Sequence, residues 1–517
     1  MRISDYLDFA AARYPDCEAL VFEDTRLTYR HVAKYVHAVA HALDAEKGLG
    51  DRVHLAIYSG NDHRVPILQL GANRADQTWL GVHVRNTPET NAEILDHLDC
   101  NAIAFSSKFE DIVPQLKKLL PKVLLWICID RPSANGVFLD EWLEGHWHPF
   151  NFKRPDMEAI ACMLPTGGTT GRAKGAAHSH RSIEMELVNL AVAYQICERS
   201  RLLTVAPLSH AAGQFALGFI PHGGANIILR EFEASQLIDT IAREHITHLF
   251  VPPTILYALL LDPSLRHTDL TSMRALIVGA APISPDKFKE AVSVFGPVVY
   301  EAYAQTETLI PVLVKQPADY LREDGTYDEA ALRTSGRPTS YVQVSILGDD
   351  GTVMGVGEPG EIAVRSSMGM SFYYKQPDAT IESARFDWHH TGDVGIVDER
   401  GYITLVDRKK DMIITGAFNV FPAEVENVIN RHPTVWECIV VGVPDEKWGE
   451  AVKAIVRLKP GMAATESEII SHCRDQLGGV KTPKSVEFWP DLPRSAVGKL
   501  LRREARARYW EGHWRAI

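Results

Sequence analysis

At 517 residues the chain exceeds what a single hydrophobic core serves, and two to four structural units are expected. Its 46% hydrophobic and 23% charged residues suit a globular protein and exclude a collagenous or low-complexity one. With 54 basic against 66 acidic residues the formal charge is −12, which argues against a dedicated binder of nucleic acid or anionic membranes.

The seven cysteines are widely spaced and form no CxxC or Cys/His cluster, against both a disulfide framework and a structural zinc site. The start, "MRISDYLDFAAARYPD", carries acidic residues where a signal peptide needs an apolar core. The longest apolar region, "HLFVPPTILYALLL", is broken by Pro252 and Pro253 and is too short to span a bilayer. The expectation is a cytoplasmic protein with reduced thiols.

Along the first 150 residues, strand-like runs such as "RVHLAIYS" and "KVLLWICID" alternate with helical segments such as "LTYRHVAKYVHAVAHALDAE". That alternation predicts parallel sheets covered by helices. It continues through "ANIILREF", "HLFVPPT" and "MRALIVGAAPIS", strands that end at turn-forming or small residues, where open α/β sheets gather ligands. From about residue 335 shorter β segments with Gly and Asp turns predict a β subdomain, and a charged run near Lys410 marks a boundary. Beyond it, "PAEVENVINRH", "ECIVVGVP", "AVKAIVRLK" and "ESEIISHCRDQL" read as helix, strand, strand and helix of a small α+β domain. The expected class is α/β: a large N-terminal part (1–409) with two α/β subdomains and a β subdomain (about 335–409), then a C-terminal domain (410–517).

Four segments carry candidate chemistry. "PTGGTTGRAKG" lies between the strand-like "AIACMLP" and the helical "HRSIEMELVNLAVAY". Its glycines let backbone N–H groups converge on an anion, its threonines add hydroxyls and Lys174 adds charge. It is not a Walker loop, because Ala173 separates glycine from lysine, and a plain surface turn fits it equally well. "YAQTE" follows the strand-like "GPVVYEA" and offers an aromatic face, a hydroxyl and a carboxylate, or is an ordinary strand-to-loop junction. "HTGD" ends in an Asp suited to ribose hydroxyls or simply to a turn. "GKLLRRE" opens a predicted helix with a lysine in its first turn, a position that solvent-facing lysines also occupy.

Taken in order, nine blocks resemble the adenylate-forming superfamily of acyl-CoA synthetases, adenylation domains and luciferases: "PTGGTTGRAKG", "PLSHAAG", "VGAAPIS", "YAQTE", "GEPGEIAVRS", "HHTGDVG", "DRKKDMIITGAFNVFPAEVE", "GVPDEKWGE" and "LPRSAVGKLLRRE". The resemblance spans nearly the whole chain. It implies ATP-dependent activation of a carboxylic acid as an acyl-adenylate, then transfer to the thiol of coenzyme A, with Mg²⁺ assisting.

By that resemblance Thr166, Gly167, Gly168, Thr169, Thr170, Gly171 and Lys174 would grip the β- and γ-phosphates. Tyr303 would stack on adenine within a surface that includes Ala281, Pro282, Ala302 and Ala304. Thr306 would bond the α-phosphate and Glu307 would hold Mg²⁺. Asp393, helped by Arg408, would take the ribose hydroxyls. Lys499 would bridge the attacking carboxylate and the α-phosphate. The hinge of a mobile C-terminal domain maps to Lys410, and Gly416 with Ala417 would face the thiol tunnel. His210 is the fourth catalytic candidate with Lys499, Thr306 and Glu307, while Ala211, Ala212, Gly213, Gln214, Phe215, Gly279 and Ala280 would line the acid site. No acidic residue lies in 207–218, where amino-acid-activating relatives place an Asp, so an apolar alkyl, alicyclic or aromatic acid is expected.

Several positions depart from the family pattern: Gly167 for Ser, Ala173 for Pro, and Ala302, Ala304 and Ala417 for glycines. The 28 residues "TLIPVLVKQPADYLREDGTYDEAALRTS" between Glu307 and Gly336 read as a surface loop. A carrier-protein acyl-AMP ligase stays open as an alternative to a CoA ligase, as does homo-oligomerisation. A non-catalytic relative should have lost Lys499, Glu307 or Asp393, and all three are present.

Overall fold

Parallel strands buried on both faces need near-continuous apolar sequence, and runs such as Ala275–Gly279 (ALIVG) and His54–Tyr58 (HLAIY) are buried at every residue. In the computed structural model, which describes residues 1–50, 52–150, 156–166, 174–415, 418–445, 448–494 and 500–511, such runs form the centres of two large sheets.

The nine-stranded sheet runs in the order Arg337–Pro338, Leu309–Lys315, Val299–Gln305, Ala275–Gly279, His248–Val251, Arg201–Thr204, Ala225–Ile228, Glu18–Phe22, Thr25–Thr28. Its strands from Glu18–Phe22 through Val299–Gln305 are parallel, and antiparallel partners close both edges. The eight-stranded sheet runs Phe372–Tyr373, Lys174–Ser179, Ile160–Thr166, Thr78–Leu80, His54–Tyr58, Ala102–Phe105, Leu125–Cys128, Val137–Phe138. Amphipathic helices cover the sheets; Ala234–Arg243, for example, buries Leu237, Ile238, Thr240 and Ile241. These two sheets are the two α/β subdomains expected from the alternation of elements.

A four-stranded sheet carries Gln343–Leu347, Gly360–Arg365, His389–Val397 and Ile403–Arg408. The C-terminal five-stranded sheet joins Phe418–Val420, Ile413–Thr415, Gly449–Leu458 and Val435–Asp445, with Ser485–Phe488 parallel to Gly449–Leu458. Its helix Glu466–Lys481 starts at a capping box in which Thr465 and Glu468 satisfy each other's backbone donors. Grouped by proximity, the residues make two compact units, Met1–Val344 with Val364–His389, and Ser345–Ala363 with His390–Ile517. The β segment of residues 335–409 therefore divides between them.

Two expectations are corrected. The stretch 308–335 is not a surface loop: Leu309–Lys315 is a strand buried along its whole length, and short helices Pro317–Tyr320 and Glu329–Leu332 follow it. Pro311, which cannot donate to a ladder, falls where the register shifts opposite Tyr303 and Gln305, and its carbonyl accepts from the Asn189 side chain at 2.8 Å. The C-terminal helix begins at Arg502, later than expected: Leu500 bridges Arg494 and Leu501 only precedes the helix. No helix among the described residues is long and apolar enough to cross a membrane.

Candidate functional site

Two paired strands flank the Gly/Thr segment. Ile160–Thr166 pairs antiparallel with Lys174–Ser179, and Thr166 sits directly opposite Lys174. The sequence passed from loop to helix and missed this second strand. Gly167, Gly168, Thr169, Thr170 and Gly171 lie outside the described residues. After the hairpin, Ser179 accepts a hydrogen bond from the Ser182 backbone N–H and so starts helix His180–Tyr194.

Beside the hairpin, strand Val299–Gln305 ends in a tight turn over 306–308, where the Gln305 N–H donates to Thr308 Oγ1 at 3.1 Å. Ala302 is buried opposite Gly279, and Tyr303 and Ala304 are half-buried on the same strand. A Cβ on Gly279 would lie 3.1 Å from the Ala302 carbonyl oxygen, so the small residues here are a packing requirement of adjacent strands as well as candidate lining.

Three bonds pin the turn. His178 Nε2 meets the Thr306 carbonyl oxygen at 2.8 Å; burial lowers the His178 pKa to about 4, so the ring is neutral and donates through Nε2–H. The Met370 N–H donates to the Glu307 carbonyl at 2.8 Å, and the Tyr373 hydroxyl donates to Glu307 Oε1 at 2.8 Å. Lys174 Nζ lies 4.5 Å from the centre of the Tyr373 ring. Thr166, Lys174, Thr306 and Glu307 are thus gathered around the mouth of one hairpin. His178 and Tyr373 were missed by the sequence, since nothing in "AAHSH" or "SFYYK" marks them before the strands pair.

Behind the turn, Glu186 is fully buried, and its Oε1 accepts from the Ile310 N–H at 3.2 Å. Burial raises its pKa to about 8, so it is protonated at neutral pH. It too was missed, because on the helix it reads as one more charged position.

The proposed acid-binding block forms helix Ala211–Gly218. A Cβ on Gly213 would lie 2.0 Å from the Leu208 carbonyl oxygen, which makes glycine obligatory at that close approach. Ala211 is partly exposed, Ala212 and Gln214 are buried, and Gln214 Oε1 has no partner among the described residues. Phe215 packs into the core, with ring centroids 4.7 Å from Phe250 and 5.5 Å from Tyr194. His210 bonds Ser209 Oγ through Nδ1 at 2.8 Å and meets His83 edge-on, centroids 4.7 Å apart. Burial, then the neighbouring His83, lowers the His210 pKa to about 4, leaving a neutral ring. Ala280 opens the exposed Ala280–Pro282 loop with φ +68°, a left-handed conformation unusual for alanine.

In the second unit, Asp393 is buried and lies opposite Arg408 across an antiparallel ladder, with Arg408 Nε 2.8 Å from Asp393 Oδ1. Gly392 takes φ +71°, which turns the chain into the strand at this residue. Lys409 bridges Glu361 and Asp349 at 3.0 and 2.6 Å, just ahead of Lys410 in the turn. Arg502 gathers Asp407 at 2.9 Å, Asp411 at 3.3 Å and Glu426, an ionic knot spanning this turn that no motif foretells. Gly416, Ala417 and Lys499 lie outside the described residues.

The described residues contain no cluster of three or more His, Cys, Asp or Glu able to hold a metal ion alone. Glu307 fits a different arrangement. One of its oxygens is occupied by Tyr373, and the other, with no protein partner among the described residues, is a hard donor of the kind that holds Mg²⁺ together with substrate phosphates.

Residues 7–374 match the family model "AMP-binding enzyme", and residues 424–499 match "AMP-binding enzyme C-terminal domain". The chain is 32% identical to a medium/long-chain-fatty-acid–CoA ligase of Mycobacterium tuberculosis, covering 98% of this chain and 90% of the relative. It is 33% identical to a feruloyl-CoA synthase of Amycolatopsis, over 96% of each. The solved amide bond synthetase of Marinactinospora thermotolerans superposes with a TM-score of 0.88 at 28% identity, over 98% of this chain and all of that one. The chain belongs to the AMP-binding enzyme family, as an acyl-CoA synthetase of the adenylate-forming superfamily.

Proposed function

We propose that the chain is an ATP-dependent carboxylic acid–CoA ligase acting on an apolar alkyl, alicyclic or aromatic acid. A carboxylate oxygen attacks the α-phosphorus of ATP and pyrophosphate leaves, giving acyl-AMP. The thiol sulfur of CoA then attacks the acyl carbon, its proton is lost, and AMP leaves with the bonding pair. A carboxylate resists direct attack by a thiol, whereas an acyl-adenylate carries a good leaving group.

The observation that carries this reading is the convergence of Thr166, Lys174, Thr306 and Glu307 at one hairpin mouth. Thr166 and Lys174, with Gly167 to Gly171, take the β- and γ-phosphates. Thr306 takes the α-phosphate, and Tyr303 stacks on adenine against Ala281, Pro282, Ala302 and Ala304. Glu307 would hold Mg²⁺, whose charge would offset the negative charge of the phosphates. Asp393, oriented by Arg408, takes the ribose hydroxyls. Lys499 stabilises charge on the carboxylate and α-phosphate as the bond forms, and a hinge at Lys410 turns the C-terminal domain between the two steps. Gly416 and Ala417 border the thiol path.

The acid is apolar on this account because 207–218 offers no carboxylate for an ammonium and His210 is neutral. Relatives named for fatty-acid and feruloyl substrates fit the same class. The test is acid-dependent pyrophosphate release over a panel of fatty, alicyclic, aromatic and amino acids, each with CoA, a pantetheinylated carrier protein or an amine as acceptor. Release with apolar acids, and AMP formation specific to CoA, is expected. Efficient use of amino acids, or transfer only to the carrier or the amine, would refute the reading.

A further inference from the structure

Tyr373 belongs to the two-residue strand Phe372–Tyr373, which pairs antiparallel with Ala176 and Ala177 just beyond Lys174. The backbone on both sides is bonded to the same strand: Ser371 N–H to the Ala177 carbonyl at 2.8 Å, and Tyr374 N–H to the Gly175 carbonyl at 2.9 Å. From this anchored position one side chain reaches two charged groups. Its ring lies under the Lys174 ammonium at 4.5 Å, and its hydroxyl donates to Glu307 Oε1 at 2.8 Å. No ion pair joins Lys174 to Glu307 directly among the described residues, and both contact the tyrosine instead.

A phenol facing a carboxylate can only be the donor of the bond between them, so the 2.8 Å contact commits Oε1 to the tyrosine and leaves the other Glu307 oxygen outside it. The Met370 N–H on the Glu307 carbonyl holds the backbone of the same residue, so main chain and carboxylate are restrained together.

We infer that Tyr373 is a positioning residue of the triphosphate end, orienting the Glu307 carboxylate toward metal-bound phosphate through its hydroxyl and presenting the Lys174 ammonium through its ring. The inference rests on the roles proposed above for Glu307 and Lys174. It separates the two arms chemically: Tyr373→Phe removes the hydroxyl and keeps the ring, whereas Tyr373→Leu removes both.

The experiment is calorimetric binding of ATP to the full chain with and without Mg²⁺, with thermal unfolding of every variant. Tyr373→Phe should raise the Mg²⁺ concentration needed for half-maximal enhancement of ATP binding by about tenfold, as loss of a hydrogen bond to a charged group implies. Its metal-free ATP affinity should be unchanged. Tyr373→Leu should in addition weaken metal-free ATP binding by about fivefold, the scale of a lost cation–ring contact. The double variant Glu307→Gln/Tyr373→Phe should be no worse than Glu307→Gln alone, because the hydroxyl acts through that carboxylate. A lowered unfolding midpoint in Tyr373→Phe with unaltered Mg²⁺ dependence would make the tyrosine merely structural and overturn the inference. If Glu307→Gln itself left the Mg²⁺ dependence unchanged, the role of Glu307 would fall instead.

Discussion

The two units hold their candidate functional residues by different means. Around the hairpin of the first unit the restraints come from neutral donors: the Tyr373 hydroxyl on Glu307, the neutral His178 ring on Thr306, and backbone N–H groups on Glu307 and Glu186. In the second unit they are ion pairs: Arg408 on Asp393, Lys409 on Glu361 and Asp349, and Arg502 on Asp407, Asp411 and Glu426. A neutral scaffold leaves the charges of Lys174 and Glu307 unspent on protein partners and available to phosphate and cation. Ionic restraints do the reverse, neutralising charge while holding a turn together, and they weaken with salt where exposed.

The sharpest way to break this comparison is to remove the ionic knot. Arg502 is largely shielded and faces three carboxylates, so Arg502→Met should cost about 3 kcal/mol, because the carboxylates are left without their counter-charge. Urea unfolding measures it, and a loss below about 1 kcal/mol would show the knot to be ornamental.

Next in size is the pH response of the neutral scaffold. The Glu186 pKa rises from 4.5 to about 8 on folding, so between those values the folded state keeps a proton that the unfolded state has released. Its contribution is fully present below pH 4.5 and is lost as pH rises through 8. Glu186→Gln should flatten that decline, gaining about 2 kcal/mol relative to wild type between pH 5 and 7. Parallel stability curves for the two proteins would contradict a buried, protonated Glu186.

The smallest effect expected is at Ala280, whose left-handed backbone glycine accepts more readily. Ala280→Gly should stabilise by about 1 kcal/mol, read as a raised unfolding midpoint. A lowered midpoint would mean that the methyl group packs usefully there.

Much of the fold was legible because parallel strands such as Ala275–Gly279 and His54–Tyr58 must be continuously apolar, and helix His180–Tyr194 announces itself with Ser179 as its cap. Lys174–Ser179 was not, because "KGAAHS" has little β preference and becomes a strand only by pairing with Ile160–Thr166. Leu309–Lys315 hides inside a stretch whose length and acidic residues suggest a surface loop, yet antiparallel neighbours enclose it on both sides. The candidate site residues of the ordered motifs are proposed from the order of those motifs along the chain. His178, Glu186, Tyr373 and Arg502 are not, since each matters through a partner from 66 to 128 residues away in sequence. Arg502 is anchored 76 residues upstream at Glu426, and Tyr373 reaches 66 residues to Glu307.

The central claim is that acid activation and thiol transfer are separate steps, with Lys499 serving only the first. Its most direct test is Lys499→Ala assayed in each half-reaction. The account predicts a loss of acid-dependent pyrophosphate release of about 10²- to 10³-fold, with conversion of supplied acyl-adenylate and CoA to thioester retained. Equal loss of both half-reactions, or pyrophosphate release at the wild-type rate, would contradict it.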